Sequence, residues 1–199
     1  VYGRPDFAPQ NELTPMRPVT PYGVGKTFAT NMVRLYRESF GLFACNAICY
    51  NHESERRGES FVTRKITKAV AAISLGLQDK LMLGSIDGRR DWGYAPDFTD
   101  AMWRMLQQPD ADDFVIATGT SHSVKDFLTA AFEAVNLNWH DYVEQDPRYM
   151  RPCEVTHLVG DASKAEEQLG WKAITTLPEL AHRMVASDQQ LYSDPDSNR

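Results

Sequence analysis

The chain has 199 residues, of which 42% are apolar and 24% charged, and its formal net charge is −6. That composition belongs to folded globular proteins and not to disordered ones, and the acidic balance carries no basic footprint for nucleic acid. The longest uncharged stretch, around Phe40 to Tyr50, runs about a dozen residues where a membrane helix needs roughly 20, so no transmembrane helix and no membrane partner is expected.

Residues 1 to 21 hold Pro5, Pro9, Pro15, Pro18 and Pro21, which reads as a loop crossing a surface. Thr20 is a natural N-cap and Pro21 suits the first helical position, so a helix is predicted to about Phe40, with Gly41 closing it. Phe28, Met32, Leu35 and Tyr36 form its apolar stripe. Phe43 to Tyr50 reads as a buried strand, and Asn51 to Ser60 as a polar loop at its C-terminal end, the edge where open α/β sheets bind ligands. Phe61 to Leu75 is predicted helical, Lys80 to Leu83 a strand, and Gly84 to Gly93 a glycine-rich charged loop. Asp97 to Gln108 is predicted helical and Phe114 to Thr118 a second buried strand. Ser121 or Ser123 is placed as the cap of a helix reaching Val135. Trp139 to Glu154 is expected to be irregular, with two last helices over Asp161 to Leu169 and Pro178 to Leu191. Trp103, Met102, Met105 and Met184 are assigned to the core.

The strands near 43–50 and 114–118 read as the last two of a larger parallel sheet. A glycine-rich phosphate turn, which would follow a first strand, does not occur in the sequence. The chain opens at Val1, with neither an initiator methionine nor an apolar leader, and is expected to be part of something longer. Cys45, Cys49 and Cys153 make no disulfide framework and fit a reducing, cytoplasmic compartment. An extended strand would set the sulfurs of Cys45 and Cys49 roughly 13 Å apart, too far for one metal ion, and no metal is expected.

Tyr22 and Lys26 stand at i and i+4 and share a helix face. An ammonium beside a phenol favours the phenolate, a proton-transfer group usable near neutrality. His52, Arg56 and Arg57 share one loop at a strand's C-terminal edge, where two guanidinium groups suit phosphate oxygens. The alternative is an exposed ion pair with Glu53 or Glu55. Arg89, Arg90 and Asp91 beside Trp92, and Arg151 with Glu154, are further polar clusters. Each is a solvated face if taken singly, and together they suggest a pocket for a diphosphate-linked sugar.

These residues fall in blocks that resemble one family. The blocks are Thr20-Pro21-Tyr22-Gly23 with Lys26, Asn51-His52-Glu53-Ser54-Glu55-Arg56-Arg57-Gly58, Phe61-Val62-Thr63-Arg64-Lys65, Gly88-Arg89-Arg90-Asp91-Trp92-Gly93, Asp113 to Gly119, and Arg151-Pro152-Cys153-Glu154-Val155. In them the chain resembles the GDP-mannose 4,6-dehydratases, extended short-chain dehydrogenase/reductases. The resemblance implies an α/β fold: the C-terminal part of a Rossmann-like doubly wound parallel sheet, plus a smaller mixed α/β substrate domain. Residues 1–60, with 94–120 returning, would end the NADP-binding domain. Residues 61–93 and 121–199 would mainly form the GDP-sugar domain. Tyr22 matches the catalytic tyrosine, and Lys26 the lysine that holds the nicotinamide ribose. His52 and Arg57 match NADP-contacting positions, while Asn51, Lys65, Arg90, Arg151 and Glu154 match positions lining the GDP-mannose pocket.

The implied reaction is an internal redox elimination. A hydride leaves C4 for NADP, water is lost across C5 and C6, and the hydride returns to C6, giving GDP-4-keto-6-deoxymannose. The resemblance also implies a homo-oligomer, a dimer or tetramer. Val1-Tyr2-Gly3 matches the step just after the family's catalytic glutamate, so this chain alone is expected not to complete the reaction. Two other readings stay open: an epimerase or 4-keto reductase acting on a nucleotide sugar, and a non-catalytic fragment that keeps a GDP-sugar pocket.

Overall fold

The structure, a computed structural model, describes residues 1–149 and 158–194. The backbone divides into two compact units. The first comprises Val1–His52, Asp91–Ser121 and His157–Ile174, and the second Glu53–Arg90, His122–Thr156 and Thr175–Arg199.

The first unit is built on helix α1 (Pro21–Phe40) and the parallel strands β1 (Asn46–Cys49) and β6 (Asp113–Ile116), with Asn46 opposite Asp113 and Cys49 opposite Ile116. This is the parallel pairing expected of the two buried runs. The first strand is shorter than the apolar run predicts, and a second strand, β2 (Asn51–Glu53), occupies the start of the expected loop. β2 pairs with β5 (Trp92–Tyr94), which lies where a loop end was expected. Helices α3 (Ala95–Met105) and α5 (Ser163–Leu169) cover one face of the β1–β6 pair. Phe98, Met105, Phe114, Ile116, Ala165, Leu169 and Trp171 fill the core there, with Cys45 and Cys49 packed against it. Trp171 donates its indole N–H to the Asp97 carbonyl at 2.8 Å. Residues 158–174 fall in the first unit, where the sequence reading had grouped them with 121–199. Trp103, assigned to the core by its apolarity, is 62% exposed, on the opposite side of α3 from Phe98 and Ala101.

Thr20 caps α1 as predicted, its hydroxyl accepting from the Gly23 amide at 3.0 Å, and Gly41 ends the helix at φ +63°, a conformation that suits glycine. The predicted stripe does not become core. Phe28, Leu35 and Tyr36 stay exposed, and α1 buries only Gly23 and Thr30. Polar ties hold this helix to the sheet. Asp113, at the start of β6, accepts from Arg34, from Arg37 at 2.9 Å and from Asn46 of β1 at 2.8 Å. Burial alone would raise the Asp113 carboxyl, but these hydrogen bonds outweigh it and hold the group below the ordinary carboxylate range.

The second unit is a helical layer, α2 (Val62–Ser74), α4 (Val124–Glu133) and α6 (Leu177–Ser193), carrying two short strand pairs. β3 (Leu81–Leu83) runs parallel to β8 (Val143–Gln145), and β4 (Arg89–Arg90) antiparallel to β7 (His122–Ser123). Of the two candidate caps, Ser123 takes the role. It forms a capping box with Asp126, as Thr176 does with Glu179 on α6. Met184 is fully buried, as expected. The chain over 139–149 is less irregular than its composition suggests, holding β8 and two single-turn helices, Trp139–Asp141 and Pro147–Tyr149.

Candidate functional site

Tyr22 and Lys26 occupy the first turns of α1. Pro21 sets the entry angle and the Thr20 cap fixes where the first turn begins. Both side chains are exposed, Tyr22 to 75%, and the Lys26 ammonium lies 5.5 Å from the centre of the phenol ring. The positive charge of Lys26 also reaches Cys49 on β1. Burial nevertheless dominates at that thiol and pushes it up to about 11, so Cys49 stays protonated and inert near neutrality.

Three tyrosines in this unit can be told apart by environment. Tyr2 and Tyr50 are buried, and burial pushes both phenols well above their ordinary value. The Tyr50 hydroxyl donates to Gln10 at 2.7 Å and the Tyr2 hydroxyl to the Asn11 carbonyl at 2.8 Å. The Tyr50 bond, with the Val115 amide donating to Glu12 at 2.6 Å, moors the proline-rich segment to the sheet region, and the Tyr2 bond closes the segment on itself. Tyr22 is the phenol of the three that a ligand can reach.

Just past the C-terminal end of β1, His52 of β2 is held by the backbone between the two strands. Its Nδ1 lies 2.8 Å from the Tyr50 carbonyl, which can only accept, so that nitrogen carries the hydrogen and, in the neutral ring, Nε2 is left as an acceptor. The ring packs on Phe98 at 5.4 Å. Asn51, half-buried, precedes it on β2.

The same sheet edge is tied together by Asp91, which sequence reasoning had placed on a solvated face. It is fully buried. Its carboxylate accepts from the Thr118 amide and hydroxyl at 2.9 and 2.7 Å, and from the amides of Gly119 and Gly160 at 3.0 and 3.2 Å. Burial raises this carboxyl more than the four hydrogen bonds lower it. Gly160 has to be glycine for its amide to arrive, because a Cβ there would lie 2.3 Å from the Cβ of Ala117 and 2.8 Å from the Tyr50 ring. In the sequence the one hint is the apolar neighbour Trp92, which the structure buries.

In the second unit, Arg57 makes the predicted ion pair with Glu53, its Nε 3.0 Å from Oε2, but that pair is not a surface feature. Glu53 is 1% exposed and also accepts from the Thr63 hydroxyl at 2.7 Å. The Arg57 guanidinium lies 3.5 Å over the Phe61 ring. The loop therefore presents Arg57 in one orientation while Arg56 stays exposed. Lys65 is also engaged, donating to the Met82 carbonyl at 2.7 Å and lying 4.1 Å above the Tyr149 ring. Arg90 sits on β4 opposite His122 of β7, one guanidinium nitrogen on the Arg89 carbonyl at 2.6 Å.

The structure thus groups Tyr22, Lys26, Asn51 and His52 in the first unit and Arg57, Lys65 and Arg90 in the second. Arg151 and Glu154 lie outside the described residues. Sequence reasoning missed Asp91 and underrated Glu53, whose one signal was its place four residues before Arg57. Among the described residues no group of three His, Cys, Asp or Glu side chains is placed to hold a metal ion, and no helix is long and apolar enough to cross a membrane.

The family described as GDP-mannose 4,6 dehydratase matches residues 1–184. GDP-mannose 4,6 dehydratase 1 of Arabidopsis thaliana is 55% identical over 183 residues, 92% of this chain and 51% of that protein. GDP-mannose 4,6 dehydratase 2 of Caenorhabditis elegans is 46% identical over 212 aligned positions, 98% of this chain and 56% of that protein. The chain therefore spans about half the length of these relatives. Among solved structures, RMD from Pseudomonas aeruginosa complexed with NADPH superposes with a TM-score of 0.88 at 23% identity, over 96% of this chain and 64% of that one, a likeness of Rossmann-like α/β fold. By the extent of that family match, and by the identity of these relatives over nearly the whole chain, the chain belongs to the GDP-mannose 4,6-dehydratase family.

Proposed function

We propose that the protein takes part in the NADP-dependent dehydration of GDP-mannose to GDP-4-keto-6-deoxymannose, with Tyr22 as its proton-transfer group. The observation that carries this reading is the exposed Tyr22–Lys26 pair on one face of α1, set by a capped first turn in a chain of this family. Of the three tyrosines compared above, it is the one that a sugar hydroxyl can approach.

The residues fit a nicotinamide cofactor. An exposed phenol and ammonium one turn apart can both reach ribose hydroxyls, and the Nε2 of His52 is left as an acceptor at the sheet edge. NADP, when bound, supplies the acceptor and later the donor of hydride. Tyr22 Oη takes the proton of the sugar 4-hydroxyl, and Lys26 stabilises the phenolate and orients the ribose. The 4-keto group so formed acidifies C5, from which water is lost across C5 and C6. Arg57 holds cofactor phosphate, while Asn51, Lys65, Arg90, Arg151 and Glu154 hold the GDP-sugar. Lys65 must exchange its carbonyl or ring contact to do so. In this reading the first unit ends the cofactor domain and the second carries the GDP-sugar, in a homo-oligomer working in the cytoplasm.

The test is GDP-mannose labelled with deuterium at C4, incubated with NADP and the protein. Loss of one water with the label carried to C6 is the expected product chemistry, abolished by Tyr22→Phe. Binding of GDP-mannose by the 199-residue chain without turnover would support the GDP-sugar site and favour the non-catalytic fragment reading. A C4 epimer with no water lost would replace this reading by the epimerase one. Failure to bind GDP-mannose would overturn it.

A further inference from the structure

The loop after β2 presents Arg57, and helix α2 grips that loop at several points. The Thr63 hydroxyl donates to Glu53, the Lys68 ammonium to Glu59 at 2.6 Å, and an Arg64 Nη1 to the Glu55 carbonyl. Within the loop the Arg57 amide donates to Ser54 at 3.0 Å and the Phe61 amide to Gly58 at 3.1 Å. Arg64 differs from the other two ties in being held from both ends. Its Nη2 lies 2.7 Å from Oδ1 of Asp188 on α6, with the arginine side chain 6% exposed and the carboxylate 0%. One buried guanidinium therefore runs from the carboxylate of the last helix to the backbone of the arginine-bearing loop. Asp188 lies beyond residues 1–184, the extent of the family match.

We propose that Asp188 is a positioning residue: it fixes Arg64, which through the Glu55 carbonyl sets the loop that presents Arg57. A guanidinium has five N–H donors in a rigid fork, so fixing one nitrogen on Asp188 aims the others. Without the carboxylate a buried cation would be left uncompensated and would turn toward water, releasing the carbonyl. Lysine at 64 can satisfy Asp188 but cannot span to Glu55, so Arg64→Lys separates the ion pair from the positioning.

The experiment is residue-resolved amide hydrogen exchange on the 199-residue chain. In Asp188→Asn and in Arg64→Lys the amides of Arg57 and Phe61 should exchange at least about tenfold faster, while those of Val70 and Ala71 inside α2 stay within about twofold. Asp188→Glu should restore slow exchange. Loop amides that do not change, or α2 amides that accelerate by the same factor, would overturn the proposal and leave Asp188 as helix packing. The functional arm rests on the reading of Arg57 as a cofactor residue. NADP affinity should fall in step with loop exchange, while GDP-mannose affinity falls less. If the wild-type chain takes up no NADP, that reading of Arg57 fails, and the exchange data still decide the positioning role.

Discussion

Helix α1 buries two of its 20 residues, Gly23 and Thr30, whereas α2 buries nine of 13. The long helix carries the exposed Tyr22 and Lys26 and is secured by a terminal cap and by arginines reaching Asp113. The short one is packed by Ile66, Ala69, Val70, Ala71 and Ile73 against neighbouring helices of its unit. A surface helix held by charges can present Tyr22 and Lys26 without burying them. A core helix can anchor a loop because its own side chains are buried among neighbouring helices. The comparison teaches that the two candidate subsites rest on different physics and should fail in different ways.

The largest effect is expected at Ile66, which is fully buried. Ile66→Ala should cost about 2–5 kcal/mol in denaturant unfolding, through lost transfer energy and the cavity left behind. If it costs less than about 1 kcal/mol, α2 is not the packed scaffold described. Next comes Asp113→Ala, expected to cost about 2–3 kcal/mol, because charge-assisted hydrogen bonds from Arg34, Arg37 and Asn46 are lost together. Exchange of the α1 amides should accelerate while α2 is unaffected.

The same carboxylate gives a pH dependence with a definite sign. Its folded value lies below the unfolded one, so its contribution is whole above the ordinary carboxylate range near 4. It is lost as the pH falls through the lower folded value, and protection of α1 amides in an acid series should follow that course. Thr20→Ala should cost about 1 kcal/mol and fray the turn that carries Tyr22, an effect visible by NMR at Gly23. The smallest change is expected from Phe28→Ala or Leu35→Ala, within about 0.5 kcal/mol in this chain, since both side chains are exposed. A larger loss would mean that the stripe is covered in solution.

What was legible in the sequence was local. The Thr20, Pro21 and Gly41 signals act within one turn, and they placed α1 to the residue. The alternation of apolar runs with helices gave the β1–β6 pairing. What escaped depends on partners far along the chain. Asp91 looks like a solvated charge beside two arginines until amides from residues 118, 119 and 160 are folded onto it. β8 is three residues of mixed polarity that become a strand only beside β3. Periodicity marks an apolar face, and the α1 stripe shows that it does not say what, if anything, covers that face.

The two units are interleaved along the chain, which passes from one to the other after residues 52, 90, 121, 156 and 174. Asn46 and Asp113, which pair β1 with β6, are separated by 67 positions, and residues of the second unit lie between them. The first body therefore cannot be finished before the residues up to 174 have been made, nor the second before those that follow. Loop closure over such separations is costly before any contact rewards it, so high contact order and slow assembly are expected. During synthesis β1 would wait unpartnered until β6 is made, a window in which chaperone capture competes with aggregation.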